Sequence, residues 1–148
     1  MSSLWTKWML GVAMIVILAG LCFAIIFPYF IPQALEPFFT KITGTDLSTL
    51  TQSEIVFHNL LSGVIGGTMF GWGIMIALLS YKLLKTPSDW IWSVVALSLA
   101  AWYILDTLAS ALAGSTLNVL LNTGILILAL PPLIAMRSAI VRGLRDFN

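Results

Sequence analysis

Uncharged, mostly apolar stretches run from Trp8 to Leu35, between Lys7 and Glu36, and from Ile55 to Tyr81, between Glu54 and Lys82. A third, from Trp90 to Met136, lies between Asp89 and Arg137 and is interrupted by the charge of Asp106 alone. A helix needs about 20 mostly apolar residues to cross a hydrocarbon layer about 30 Å thick. The first two stretches therefore predict one span each, and the third, about twice the required length, predicts two folded back on each other. Ala113-Gly114-Ser115-Thr116 supplies the turn between them. The pattern predicts an all-α integral membrane four-helix bundle, with spans at about Trp8–Pro28, Ile55–Leu84, Trp90–Ala113 and Thr116–Met136. One long connection follows the first span, and the other two are short.

Composition narrows the picture. The 148 residues are 59% hydrophobic and 9% charged, with a mean hydropathy of +1.02. That leaves one transmembrane domain over residues 1–148 and no room for a soluble catalytic module. Lys7, Lys82, Lys85, Arg137, Arg142 and Arg145 are six of the seven basic residues, and four spans would gather them on one side. The positive-inside rule makes that side cytoplasmic, with both termini in and the long loop out. That loop, about Tyr29 to Glu54, sets Lys41 against Glu36, Asp46 and Glu54. The expected location is the cell (inner) membrane. Because topology accounts for the basic residues, no nucleic-acid partner is expected.

Several local signals refine this outline. Trp5 and Trp8 flank Lys7, and Trp90 and Trp92 open the third span, as expected of rings at the headgroup level. The apolar core of the first span exceeds a signal-peptide core and no small-x-small cleavage site follows, so retention is expected. Cys22, the only cysteine, reads as a small buried apolar residue. Pro28, Pro32 and Pro37, interleaved with aromatic residues, predict a chain lying along the outer interface. Thr45 to Ser53 permits a short amphipathic helix there. Thr86-Pro87-Ser88-Asp89 predicts a turn whose Ser88 or Asp89 caps the third span. Pro131-Pro132 is expected to kink or loosen the fourth span before Arg137.

Two sets of residues are candidates for function. Gly63, Gly67 and Gly71 recur every four residues on the second span, a face on which two backbones can approach closely. In lipid that approach gains dispersion contacts, whereas apolar burial alone gains nothing. These glycines are expected to pack helices within the fold or between protomers; a groove for a flat ligand is the alternative. The second set is polar. At 1.5 Å per residue from Trp90, Asp106 lies about 24 Å into the membrane from the inner side, and His58, Asn59, Asn118 and Asn122 reach a similar depth. Glu54, His58 and Ser62 step by four, as do Ser98, Trp102, Asp106 and Ser110, while Asn118 and Asn122 are one turn apart. Each set therefore shares a face.

A carboxylate against lipid costs several kcal/mol, so Asp106 is expected to face the bundle interior. His58 is its expected partner, with Asn118, Asn122 and Tyr103 as neutral alternatives. One reading is an interhelical hydrogen-bond cluster. Another is an outward-opening pocket of His58, Asn59, Asp106, Ser110, Asn118 and Asn122 for an amphipathic molecule such as a quinone or lipid headgroup. A proton path is the third, weakened because the inner half of the bundle carries no ionisable residue to extend it. One histidine cannot supply two haem ligands in a single chain, and a lone His, Asp and Glu make a thin metal site, so no metal is expected. No phosphate loop, nucleophile elbow or paired-cysteine motif is present, so a catalytic role is not expected, and the sequence leaves any cofactor unknown.

The run Gly66-Gly67-Thr68-Met69-Phe70-Gly71-Trp72-Gly73, after a proline-containing outer loop in a four-span chain of this length, resembles the DoxX-like group of small bacterial membrane proteins. The resemblance implies a four-helix bundle that in some relatives is an accessory subunit of a quinone-linked membrane oxidoreductase. It assigns no site residue. The sequence thus predicts a non-catalytic accessory or stabilising subunit of a larger membrane complex, or a homo-oligomer, with a polar pocket in the outer half of the bundle. The rival is a transporter or a quinone- or lipid-binding protein with Asp106 as its protonatable group.

Overall fold

The structure, a computed structural model, describes residues 3–145, and those residues form helices and turns without a strand. α1 (Ser3–Leu21) continues through a widened π-helical stretch (Cys22–Ile26) into α2 (Phe27–Phe30). A 3-10 turn leads to α3 (Glu36–Thr43), and a second leads to α4 (Gln52–Lys85), α5 (Asp89–Leu112) and α6 (Thr116–Arg145). Among the described residues four helices are long and apolar enough to cross a membrane, starting at Leu4, Gln52, Asp89 and Thr116.

The boundaries follow from local chemistry. Pro28 has no N–H to bond the Ala24 carbonyl and its ring crowds that group. The helix relieves this by widening upstream, with the Phe27 N–H donating to the Cys22 carbonyl. α3 has Glu36 and Pro37 in its first turn and ends at Gly44, whose φ of 71° suits glycine. The short helix permitted at Thr45 to Ser53 does not form beyond a 3-10 turn at Leu47–Thr49; these helix-start and helix-stop residues place it at Glu36–Thr43 instead. α4 opens with a capping box: Glu54 N–H donates to Thr51 Oγ1 at 3.4 Å and Thr51 N–H to Glu54 Oε2 at 2.7 Å. Ser88 caps α5 through the Ile91 N–H, as expected. Gly114, at φ 76°, reverses the chain between α5 and α6, and Ser115 N–H closes the turn on the Ser110 carbonyl at 2.8 Å. α6 runs through Pro131-Pro132 to Arg145.

The closest helix contact joins α1 to α4. A Cβ built on Gly20 would lie 2.7 Å from the Gly66 carbonyl oxygen, and one built on Gly73 would lie 3.2 Å from that of Ala13. Gly20 thus faces Gly66, and Ala13 faces Gly73, so the helices are antiparallel and the same register sets Thr6 against Ser80. Thr6, Ala13 and Gly20 recur every seven residues, as do Gly66, Gly73 and Ser80. Small layers alternate with larger buried side chains, Met9 and Val16 on α1 and Ile76 and Leu83 on α4. A seven-residue repeat keeps one seam facing its partner along both helices. The widened turn of the first span meets α4 at this seam, where a Cβ on Gly66 would clash with the Ala24 backbone.

α5 and α6 form the second pair, and α1 also packs on α6. The apolar core lies in the half of the bundle that carries the termini, where Met9, Ala13, Ile76, Leu83, Val95, Leu99, Ala129, Leu133 and Met136 are buried together. A polar clamp closes that end. Arg137 pairs with Asp89 and lies 5.1 Å from the Trp92 ring centre, while Trp92 Nε1 donates to the Leu133 carbonyl at 2.9 Å. Trp90 is exposed, as a headgroup-level ring would be, but Trp92 is turned inward to bind α5 to α6. α4 and α5 touch less than the α1–α4, α5–α6 and α1–α6 pairs do, and meet midway where the rings of Trp72 and Trp102 lie 5.0 Å apart.

Candidate functional site

At the loop end, the half opposite the apolar core, α5 and α6 are joined by a ladder of side-chain hydrogen bonds. Tyr103 OH and Thr123 Oγ1 are 3.4 Å apart. Asn122 Nδ2 donates to Thr107 Oγ1 at 3.5 Å. Asn118 Nδ2 donates to Asp106 Oδ1 at 3.1 Å and to Ser110 Oγ at 2.7 Å. Ser110 Oγ in turn donates to the Asp106 carbonyl at 2.6 Å and lies 3.2 Å from Asp106 Oδ1. The helical spacing of Tyr103, Asp106, Thr107 and Ser110 puts them on the α5 face that meets α6. Ser110 and Asn122 are buried, and Asp106 and Asn118 partly so.

Asp106 therefore looks toward a neighbouring helix, as expected, and its partner is the neutral amide of Asn118. The expected pairing with His58 is not made. His58 Nδ1 lies 3.4 Å from Asn59 Oδ1, and its ring packs edge-on against Phe39 at 5.7 Å. No side-chain hydrogen bond joins α4 to α5 or α6 among the described residues. The physical reason lies in the α1–α4 seam, which holds α4 against α1 while α3 covers the His58 face. Asp106, Ser110, Asn118 and Asn122 thus come together, and His58 and Asn59 stand apart from them.

An open, solvent-facing cavity of about 520 Å³ lies beside His58, lined by Phe39, Leu50, Ser53, Glu54, Phe57, His58 and Leu61, of which Ser53, Glu54, Phe57 and Leu61 are exposed. Phe39 of α3 forms one side of it, and α3 is held there by contacts the sequence reading missed. Phe38 packs edge-on against Phe23 at 5.7 Å, and Glu36 Oε1 accepts the Leu47 N–H at 3.1 Å. Phe39 and Glu54 are further members that the sequence reading did not place in a pocket. Thr51-Gln52-Ser53-Glu54 was a legible capping signal for the latter. No group of three or more His, Cys, Asp or Glu residues able to hold a metal ion occurs among the described residues.

The expected glycine face also moves. A Cβ on Gly63, Gly67 or Gly71 would meet nothing within 4 Å, so these three do not make the close approach inside the chain. Gly66 and Gly73 make it, because the small residues of α1 repeat every seven positions and match that stripe.

These features define an all-helical protein whose four long apolar helices could each cross a membrane, with a polar seam between α5 and α6 and a separate open cavity beside α3. Compared with protein-family models, curated proteins and solved structures, the chain matches none.

Proposed function

We propose that the protein is a non-catalytic subunit or stabilising partner of a larger membrane assembly. Its two termini and the α4–α5 turn lie on the cytoplasmic side, and the open glycine face of α4 seats a helix from another subunit or a second copy. The observation that carries this reading is the outward direction of Gly63, Gly67 and Gly71, at a spacing that brings backbones together. A lipid chain cannot follow a bare helical backbone as closely as another helix can, so such a face gains most from a protein neighbour. The DoxX-like resemblance implies the same role and is part of the proposal.

A transporter or a quinone- or lipid-carrier working through Asp106 draws less support. The groups expected to line its pocket divide between two places, and the carboxylate is engaged with Asn118 and Ser110. The test is mass measurement of the full chain purified in mild detergent. The wild type should run as an assembly larger than its 16.2 kDa protomer, and Gly67→Leu should reduce it to a folded protomer. A wild type that is strictly monomeric and purifies with nothing else would overturn the reading.

A further inference from the structure

We infer that the cavity beside α3 is a binding site for the primary-ammonium headgroup of an aminophospholipid. This inference is independent of the proposed subunit role. Depth is its first support. The apolar segment of α4 spans 32 residues, Gln52–Leu83, about 48 Å at 1.5 Å per residue. That exceeds a hydrocarbon layer of about 30 Å, so the first turns of α4 stand among the headgroups. Glu54 and His58 are one helical turn apart there and line the same cavity.

The chemistry of the lining selects the headgroup. Glu54 Oε2 is engaged by Thr51, through its N–H at 2.7 Å and its hydroxyl at 2.6 Å, which leaves Oε1 as an anionic acceptor. His58 turns Nδ1 toward Asn59 Oδ1 at 3.4 Å, which leaves Nε2 as a further polar atom of the lining. A carboxylate on an otherwise largely apolar wall suits a cationic group that carries N–H donors. Phe39 and Phe57 add aromatic side chains to the lining, and aromatic rings are surroundings a cation accepts. A quaternary ammonium lacks the N–H donors, and an anionic headgroup would meet Glu54 unfavourably. Below the cavity Phe57, Leu61 and Ile65 step by four down one face, 61%, 45% and 54% exposed, and form an apolar track for an acyl chain.

The experiment is native mass spectrometry of the full chain titrated with phosphatidylethanolamine, phosphatidylcholine or phosphatidylglycerol of matched chains. Phosphatidylethanolamine should be retained about tenfold better than either of the others, the difference expected of hydrogen bonds to a charged group. Glu54→Gln keeps the capping box, because glutamine serves equally at that position, and should abolish the preference without changing thermal unfolding. Asp106→Asn, in the separate polar seam, should leave the preference intact. Equal retention of the three lipids by the wild type would overturn the assignment, as would a preference that survives Glu54→Gln. Displacement of the lipid by soluble phosphoethanolamine at comparable concentration would also overturn it, since the site would then recognise the free zwitterion.

Discussion

Thr6 and Ser80 are fully buried, and their hydroxyl oxygens have no hydrogen-bond partner among the described residues. Their contribution to the α1–α4 seam is therefore small size, in the same seven-residue repeat as Ala13, Gly20, Gly66 and Gly73. Ser80→Ala removes an unpaired polar atom and should be neutral or slightly stabilising in thermal unfolding in detergent. Gly66→Leu drives a side chain into the backbone of Ala24 and should lower stability by about 2 kcal/mol or more, whereas Gly67→Leu should leave the protomer's stability unchanged. Asp106 follows similar logic. Asn keeps the Oδ1 acceptor used by Asn118 and Ser110, so Asp106→Asn should unfold near the wild-type temperature. Asp106→Leu removes that acceptor and should lose about 1 kcal/mol, in keeping with the modest worth of hydrogen bonds between membrane helices. The inward direction of Asp106 was legible from its position amid apolar residues. Its partner was not, because His58 and Asn118 lie at similar depth and spacing alone does not say which helix α5 meets. The glycines pose the same problem. Both stripes, 63-67-71 and 66-73-80, are present in α4, and the seven-residue repeat in α1 is the signal that picks the second.

At the level of single elements, the existence of the four long helices was read correctly from apolar length, and the differences lie at ends, at bends and in the short α3. Prolines in the first connection read as punctuation, yet Pro37 sits where a helix begins and Gly44 where one ends, which together specify α3. The widened turn before Pro28 carries no signature in hydropathy, because it changes hydrogen bonding and not polarity. Pro131-Pro132 does not end α6, whose neighbours α5 and α1 continue to pack on either side of it. The tight α5–α6 turn depends on a backbone shape that other residues adopt poorly. Gly114→Val should therefore lower the unfolding temperature, by about 1–2 kcal/mol of stability for a side chain forced to positive φ. Far-UV circular dichroism should still report the full helical content.

For the molecule as a whole, apolar core and polar seam occupy opposite halves. The half with the termini is filled by Met9, Leu83, Leu99 and Met136 among others, and the other half is held by the α5–α6 ladder and by aromatic contacts under α3. This division explains why a shared site of His58 and Asp106 does not form: the loop-end halves of the two helix pairs are each satisfied within their own pair. The sequence carried the count and order of the spans, because lipid demands a run of apolar residues for each. It did not carry which spans touch, because lipid and protein present equally apolar surroundings to most side chains.

Each half of the chain in sequence, α1 with α4 and α5 with α6, is a hairpin that closes on its own contacts. Translation would therefore complete one hairpin before the next enters the bilayer. A gene divided within Thr86-Pro87-Ser88, with both pieces expressed together, should yield two fragments that find each other and co-elute as the intact protein does. Recovery of only separate or degraded fragments would mean that the covalent link, and not the matched surfaces, brings the pairs together.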